Sequence, residues 1–197
     1  MKPDFDKCEK AATQLLLNQV PRSLSVDVRH LQYDRTILFD TIQNYTIITK
    51  SPILFLPGST ILKDGCMLKS HGVHVVLYNK ATEDYPERLN WTLAHEVGHI
   101  YLGHTKDGHT EEIEANWFAA QLLMHENILR DMASLNHGLS TQEVADFFKV
   151  SITAAGKRIN SLNRKTIWFC GQSEKRLIEK YRPLEYQALN LIRARSS

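Results

Sequence analysis

His95 and His99 bracket Glu96, Val97 and Gly98 in an H-E-x-x-H pattern. On an α-helix, residues at this spacing lie one turn apart on the same face. Two neutral imidazoles placed there can hold one divalent ion from one side. Glu96, beside the first histidine, can reach a water on that ion without ligating the ion itself. Zinc lowers the pKa of bound water from about 15.7 to roughly 7. A neighbouring carboxylate can then take the proton and pass it to a leaving amine.

A His-Glu-His run on a helix is often only a solvated face. Here Trp91, Leu93, Ala94, Val97, Ile100 and Leu102 make the segment apolar nearly all round, which predicts a buried helix. Two histidines and a glutamate in such a helix need partners. One zinc ion is the economical partner, and hydrolysis is the chemistry to expect.

The third ligand must come from elsewhere. The pattern H-E-x-x-H-x-x-G-x-x-H would demand Gly at 102 and His at 105, where this chain has Leu102 and Thr105. The thermolysin-like alternative takes a glutamate from a following helix and leaves a fourth position open. Glu111, Glu112 and Glu114 are the candidates. A polar residue one turn beyond the glutamate can brace a ligand histidine through its free ring nitrogen. Glu112 has Asn116 in that place, whereas Glu114 has Phe118. Glu112 is therefore preferred, with Glu114 as the alternative ligand and Asn116 as the brace.

The elements that must position these groups can be read around them. Pro86 and Glu87 suit the first turn of the H-E-x-x-H helix, and Gly103 is a natural stop after Leu102. The polar stretch Thr105–Thr110 leads to a second helix opening at Glu111 and running through EEIEANWFAAQLLMHENILRDMA. Ahead of the motif, Val73–Tyr78 reads as a strand. Lying just before the helix, it is the expected edge for an extended peptide substrate. His71 and His74 are expected to be a surface and a strand-packed histidine. Further upstream, Asp4–Val20 reads as an amphipathic helix ended by Pro21. Val26–Val28, Thr36–Phe39 and Tyr45–Thr49 read as strands, and Ser51-Pro52 and Pro57-Gly58 as loop punctuation.

NWTLAHEVGHIYLGH, followed after a short polar loop by EEIEANWFAAQLLM, resembles the ImmA/IrrE metallopeptidases. The similarity continues into the C-terminal segment and covers roughly the second half of the peptidase domain. It implies an α+β fold: a compact gluzincin-like core, with a small sheet packed on helices, followed by a helix-turn-helix-like segment. It also implies that His95, His99 and Glu112 are zinc ligands and that Glu96 is the catalytic base. The substrate class it implies is a transcriptional repressor of the phage-repressor type, encoded nearby in a mobile element or a DNA-damage response. The chain departs from the family at His125, where proline often follows the Leu-Leu-Met run.

Ser140–Glu143 reads as a capping box opening a helix, and a turn at Lys149–Ser151 leads to a second helix carrying Lys157 and Arg158. Arg164 and Lys165 follow it. Packing is the expected role of this segment; a weak DNA contact through these basic residues is its alternative use. Thr166–Cys170 reads as strand-like, then a charged helix from about Ser173, with a frayed end at Arg193–Ser197. The expected organisation is a metallopeptidase domain over 1–137, the helix-turn-helix-like segment over 138–165 and a tail over 166–197.

Composition sets the outer bounds. A net charge of +2 over 197 residues excludes a protein that coats nucleic acid. Cys8, Cys66 and Cys170 stand alone, forming neither a disulfide framework nor a cysteine metal site, and suit a reducing cytoplasm. The charged N-terminus lacks a signal-peptide pattern, and no segment reads as membrane-spanning. The leading expectation is a cytoplasmic zinc endopeptidase acting on a protein. The alternative is a non-catalytic, zinc-containing regulator that binds a repressor or DNA.

Overall fold

The computed structural model describes residues 2–50, 64–106, 108–165 and 168–196. The loop signals at Ser51-Pro52 and Pro57-Gly58 lie outside these residues. Among the described residues the fold is mixed α and β, with eight α-helices and one three-stranded sheet. The chain divides into two compact units, residues 1–11 with 27–119 and residues 12–26 with 120–197.

In the first unit, Asp4 opens α1 (Phe5–Leu17) by accepting the Lys7 N–H at 3.0 Å, a side-chain cap on an otherwise orphan donor. The Val26–Val28 strand is absent. Val28 instead starts a 3₁₀ turn, Val28–His30, capped by Asp27, and its N–H donates to Asn90 Oδ1. Strand β1 is Ile37–Thr41. The expected Tyr45–Thr49 strand is also replaced, by helix α2 (Ile42–Thr49). Thr41 caps it by accepting the Asn44 N–H at 3.0 Å, so local capping overrides the β-branched composition.

Strand β2 (Gly65–Ser70), unrecognised in the sequence, turns at His71-Gly72 into β3 (Val73–Tyr78). Both turn residues have positive φ. The sheet order is β1-β3-β2, with β1 parallel and β2 antiparallel to β3. Strand β3 is therefore the inner strand, hydrogen-bonded on both sides, and is not a free edge. Helix α3 (Pro86–Leu102) packs across β2 and β3. Gly65 lets α3 and β2 come close: a Cβ there would stand 2.7 Å from Thr92 Cγ2 and 3.5 Å from Glu96 Cγ.

Helix α4 spans His109–Leu123, starting two residues ahead of the expected Glu111. The long helix expected beyond it is broken in two. In the second unit, His125 caps α5 (Glu126–Leu135), its Nδ1 accepting the Asn127 N–H at 3.2 Å. Its Nε2 stands 2.9 Å from Thr13 Oγ1. Burial, with Arg158 and Lys165 nearby, drives the His125 pKa down to about 3 and keeps the ring neutral.

Helices α6 (Thr141–Phe148) and α7 (Ile152–Arg164) form the helix-turn-helix outline, with the Ser140–Glu143 capping box formed. Its basic residues are divided. Arg158 is buried, donating from Nε to Met124 O at 3.0 Å and from Nη2 to Gln121 Oε1. Lys165 pairs with the buried Glu126 at 2.6 Å. Lys157 and Arg164 are exposed. Trp168–Cys170 form no strand, and the rest of that expected strand, Thr166 and Ile167, lies outside the described residues. Helix α8 (Gln172–Ser196) continues through Arg193–Ser196 of the expected frayed end. No helix among the described residues is long and apolar enough to cross a membrane.

Candidate metal centre

Proline at the first turn of α3 costs no hydrogen bond there, and its fixed φ starts the helix. Leu93, Ala94, Val97, Ile100 and Leu102 are buried, as are Glu96 and His99; His95 is partly exposed. The apolar flanks thus set the functional side chains at the edge of the core.

Glycine at position 98 lets α4 come close. A Cβ there would stand 3.1 Å from Phe118 Cδ1 and 3.2 Å from both Cα and O of Ala115. Two of those three atoms are backbone of α4 and cannot step aside. With the helices this near, Glu112 reaches the two histidines across the gap.

His95, His99 and Glu112 each offer one ligand atom, and the three atoms lie within 4.8 Å of one another. His95 Nε2 is 3.0 Å from His99 Nε2 and 3.3 Å from Glu112 Oε2; His99 Nε2 is 3.6 Å from Glu112 Oε1. Tetrahedral zinc with bonds of about 2.0–2.1 Å separates its ligands by roughly 3.3 Å. The observed separations bracket that value.

The hydrogen bonds behind the cluster make the same point. Asn116 Nδ2 donates to Glu112 O at 2.8 Å, which fixes the orientation of its amide. Asn116 Oδ1 then faces His95 Nδ1 at 3.3 Å, so His95 carries its proton on Nδ1. In the neutral imidazole that a metal ligand must be, its Nε2 is then a lone pair directed at a carboxylate. An acceptor facing an acceptor is repulsive without a cation between them, and two imidazoles with a carboxylate suit zinc. The residues present fit the ion.

Glu114 is not among the three. Its Oε1 accepts the Asp4 N–H at 2.7 Å and its Oε2 lies 2.9 Å from His104 Nε2. Burial raises its pKa, but the Asp4 N–H, the His104 contact and the nearby Lys7 outweigh burial and leave it lowered.

His104 Nδ1 lies 3.0 Å from His99 Nδ1, a contact that the H-E-x-x-H spacing does not announce. The readable signal was Gly103. It adopts φ 72°, its N–H bonds to Ile100 O, and the His104 N–H bonds to His99 O at 3.0 Å. This is a Schellman motif, which folds the second residue past the helix back over the last turn.

Other polar side chains on or beside these elements are engaged elsewhere. Tyr101 donates to Asp34 at 2.9 Å, and burial with that bond pushes its pKa up to about 12. Tyr78 donates to Glu83 at 3.0 Å. Arg88 forks onto Asp64 at 2.7 and 2.8 Å. His71 is exposed, and His74 is partly buried with an unbonded Nδ1.

The family model described as the IrrE N-terminal-like domain, Peptidase_M78, matches residues 52–160. No curated protein gives a match.

Proposed function

Since this chain belongs to the IrrE N-terminal-like peptidase family, we propose that it is a zinc-dependent endopeptidase with His95, His99 and Glu112 as ligands and Glu96 as base. The observation that carries the reading is the convergence of those three side chains beside the buried Glu96. A zinc ion held there supplies acidification of a water and polarisation of a carbonyl. Asn116 orients His95. The Glu96 carboxylate takes a proton from the water that attacks the peptide carbon. It returns that proton to the amine nitrogen as the C–N bond breaks.

A peptidase acts on a protein, and an extended segment is the form that a strand edge can hold. With β3 paired on both sides, the support for such a segment shifts to β2, an outer strand among the described residues. Its first residue, Gly65, packs on Thr92 and Glu96. The resemblance to repressor-cleaving members makes a helix-turn-helix transcriptional repressor the proposed substrate. The alternative, a regulator acting through a DNA contact, loses ground because Arg158 and Lys165 are held by internal partners.

Co-expression with a repressor encoded beside the gene tests the reading. Wild type should shorten the repressor, and Glu96→Gln should still bind zinc but cleave roughly two to four orders of magnitude more slowly. Equal cleavage by the variant would exclude this mechanism.

A further inference from the structure

Glu114 and His104 lie behind His99 and take no part in the chemistry described above. Their hydrogen bonds nonetheless have a direction. The Asp4 N–H can only donate, and it donates to Glu114 Oε1 at 2.7 Å. An ionised carboxylate can only accept, so the 2.9 Å contact between His104 Nε2 and Glu114 Oε2 requires the His104 proton on Nε2. In a neutral imidazole His104 Nδ1 is then an acceptor. The 3.0 Å contact to His99 Nδ1 in turn requires the His99 proton on Nδ1. His99 is left with its lone pair on Nε2, the atom that faces His95 Nε2 and Glu112.

We propose that Glu114 and His104 are positioning residues that lock His99 in the one tautomer able to bind the metal, with the Asp4 N–H anchoring the relay. The inference rests on reading His95, His99 and Glu112 as a metal centre. It extends the site by two side chains and one backbone group from the start of α1. Lys7, three residues beyond Asp4, donates to Leu102 O at 2.6 Å and ties the same segment to the end of α3.

Glu114→Gln is the discriminating substitution, since it changes shape very little. If the new amide oxygen keeps the Asp4 N–H, the NH₂ group faces His104 Nε2. His104 must then carry its proton on Nδ1, and His99 is forced to the Nε2–H tautomer, which cannot bind metal. The flipped amide sets its NH₂ against the Asp4 N–H. Either arrangement opposes the site.

Zinc affinity is measured by competition with a chromophoric chelator, thermal unfolding on the metal-free full chain, and the His99 tautomer from imidazole ¹⁵N shifts. Glu114→Gln should weaken zinc binding about 10–100-fold with little change in metal-free unfolding, and should move the His99 proton from Nδ1 to Nε2. His104→Phe should weaken zinc binding to a similar degree, and adding Glu114→Gln to it should cost nothing more. If Glu114→Gln does not fold, His104→Phe, which leaves the Asp4–Glu114 bond in place, carries the affinity test. Unchanged zinc affinity and an unchanged tautomer in Glu114→Gln would overturn the relay and leave Glu114 as a tether for Asp4. Failure of wild type to take up one zinc would instead overturn the metal reading, and the tautomer of the metal-free protein would still decide the relay.

Discussion

His104 Nδ1 stands 3.0 Å from His99 Nδ1 because Gly103, at φ 72°, turns the chain back over the end of α3. A helix terminus and the back of the candidate metal centre are thus one structure. The left-handed conformation costs a non-glycine residue roughly 1–2 kcal/mol. Gly103→Ala should therefore lower the unfolding midpoint of the chain and, by loosening His104, weaken zinc binding. Thermal melts and a zinc titration check both; an unchanged zinc affinity would show that the turn does not hold His104 in place.

Gly98→Ala tests the helix contact that brings Glu112 to the histidines. Alanine in an exposed helix favours folding by about 1 kcal/mol over glycine. Here its methyl would press on the Ala115 backbone at 3.2 Å. The steric effect should win. Stability should fall by about 1–3 kcal/mol, the usual cost of overpacking, and zinc affinity should fall with it as α4 moves away. A more stable variant with full zinc affinity would contradict this.

Two buried groups of the second unit set opposing pH dependences. Glu185 is fully buried, and burial with the neighbouring Asp131 carboxyl pushes its pKa up to about 9, against the opposing charge of Arg182. The folded state then holds a proton that the unfolded state releases from about pH 4.5 upward. This contribution is full below pH 4.5 and is lost as the pH rises towards 9. His125, with its pKa lowered to about 3, behaves in the opposite way. Its contribution is full above about pH 6.5 and is lost as the pH falls towards 3. Denaturant melts across pH should show Glu185→Gln flattening the alkaline decline between pH 6.5 and 9. An identical decline in that variant would remove Glu185 as its cause.

Much of the geometry of the candidate metal centre could be read from local pattern. Spacing places His95 and His99 on one face, apolar flanks bury the helix that carries them, and the Glu112–Asn116 pairing anticipates a contact that the structure contains. What escaped the reading depends on chain reversal or on tertiary partners. The helical turn at Gly103 could have revealed His104, but Glu114 meets Asp4 across 110 positions of sequence, beyond any local signal. Strand β2 escaped because Cys66, Met67 and Lys69 break the β-branched pattern, and without it β3 passed for an edge. Tyr45–Thr49 misled in the other direction, because β-branched residues state a preference that one capping threonine overrides. Arg158 shows the limit for charge: its sequence neighbours gave no sign that its guanidinium is buried against Met124 and Gln121.

The central claim is that two imidazoles and one carboxylate, from His95, His99 and Glu112, hold one zinc ion. The zinc K-edge absorption spectrum of the zinc-loaded protein tests it most directly. It should show two imidazole shells with Zn–N at about 2.0–2.1 Å, light oxygen scatterers at about 2.0–2.2 Å and no sulfur near 2.3 Å. Glu112→Ala should alter the oxygen shell and leave both imidazoles. A sulfur shell, a third imidazole, or a spectrum indifferent to Glu112 would contradict the account.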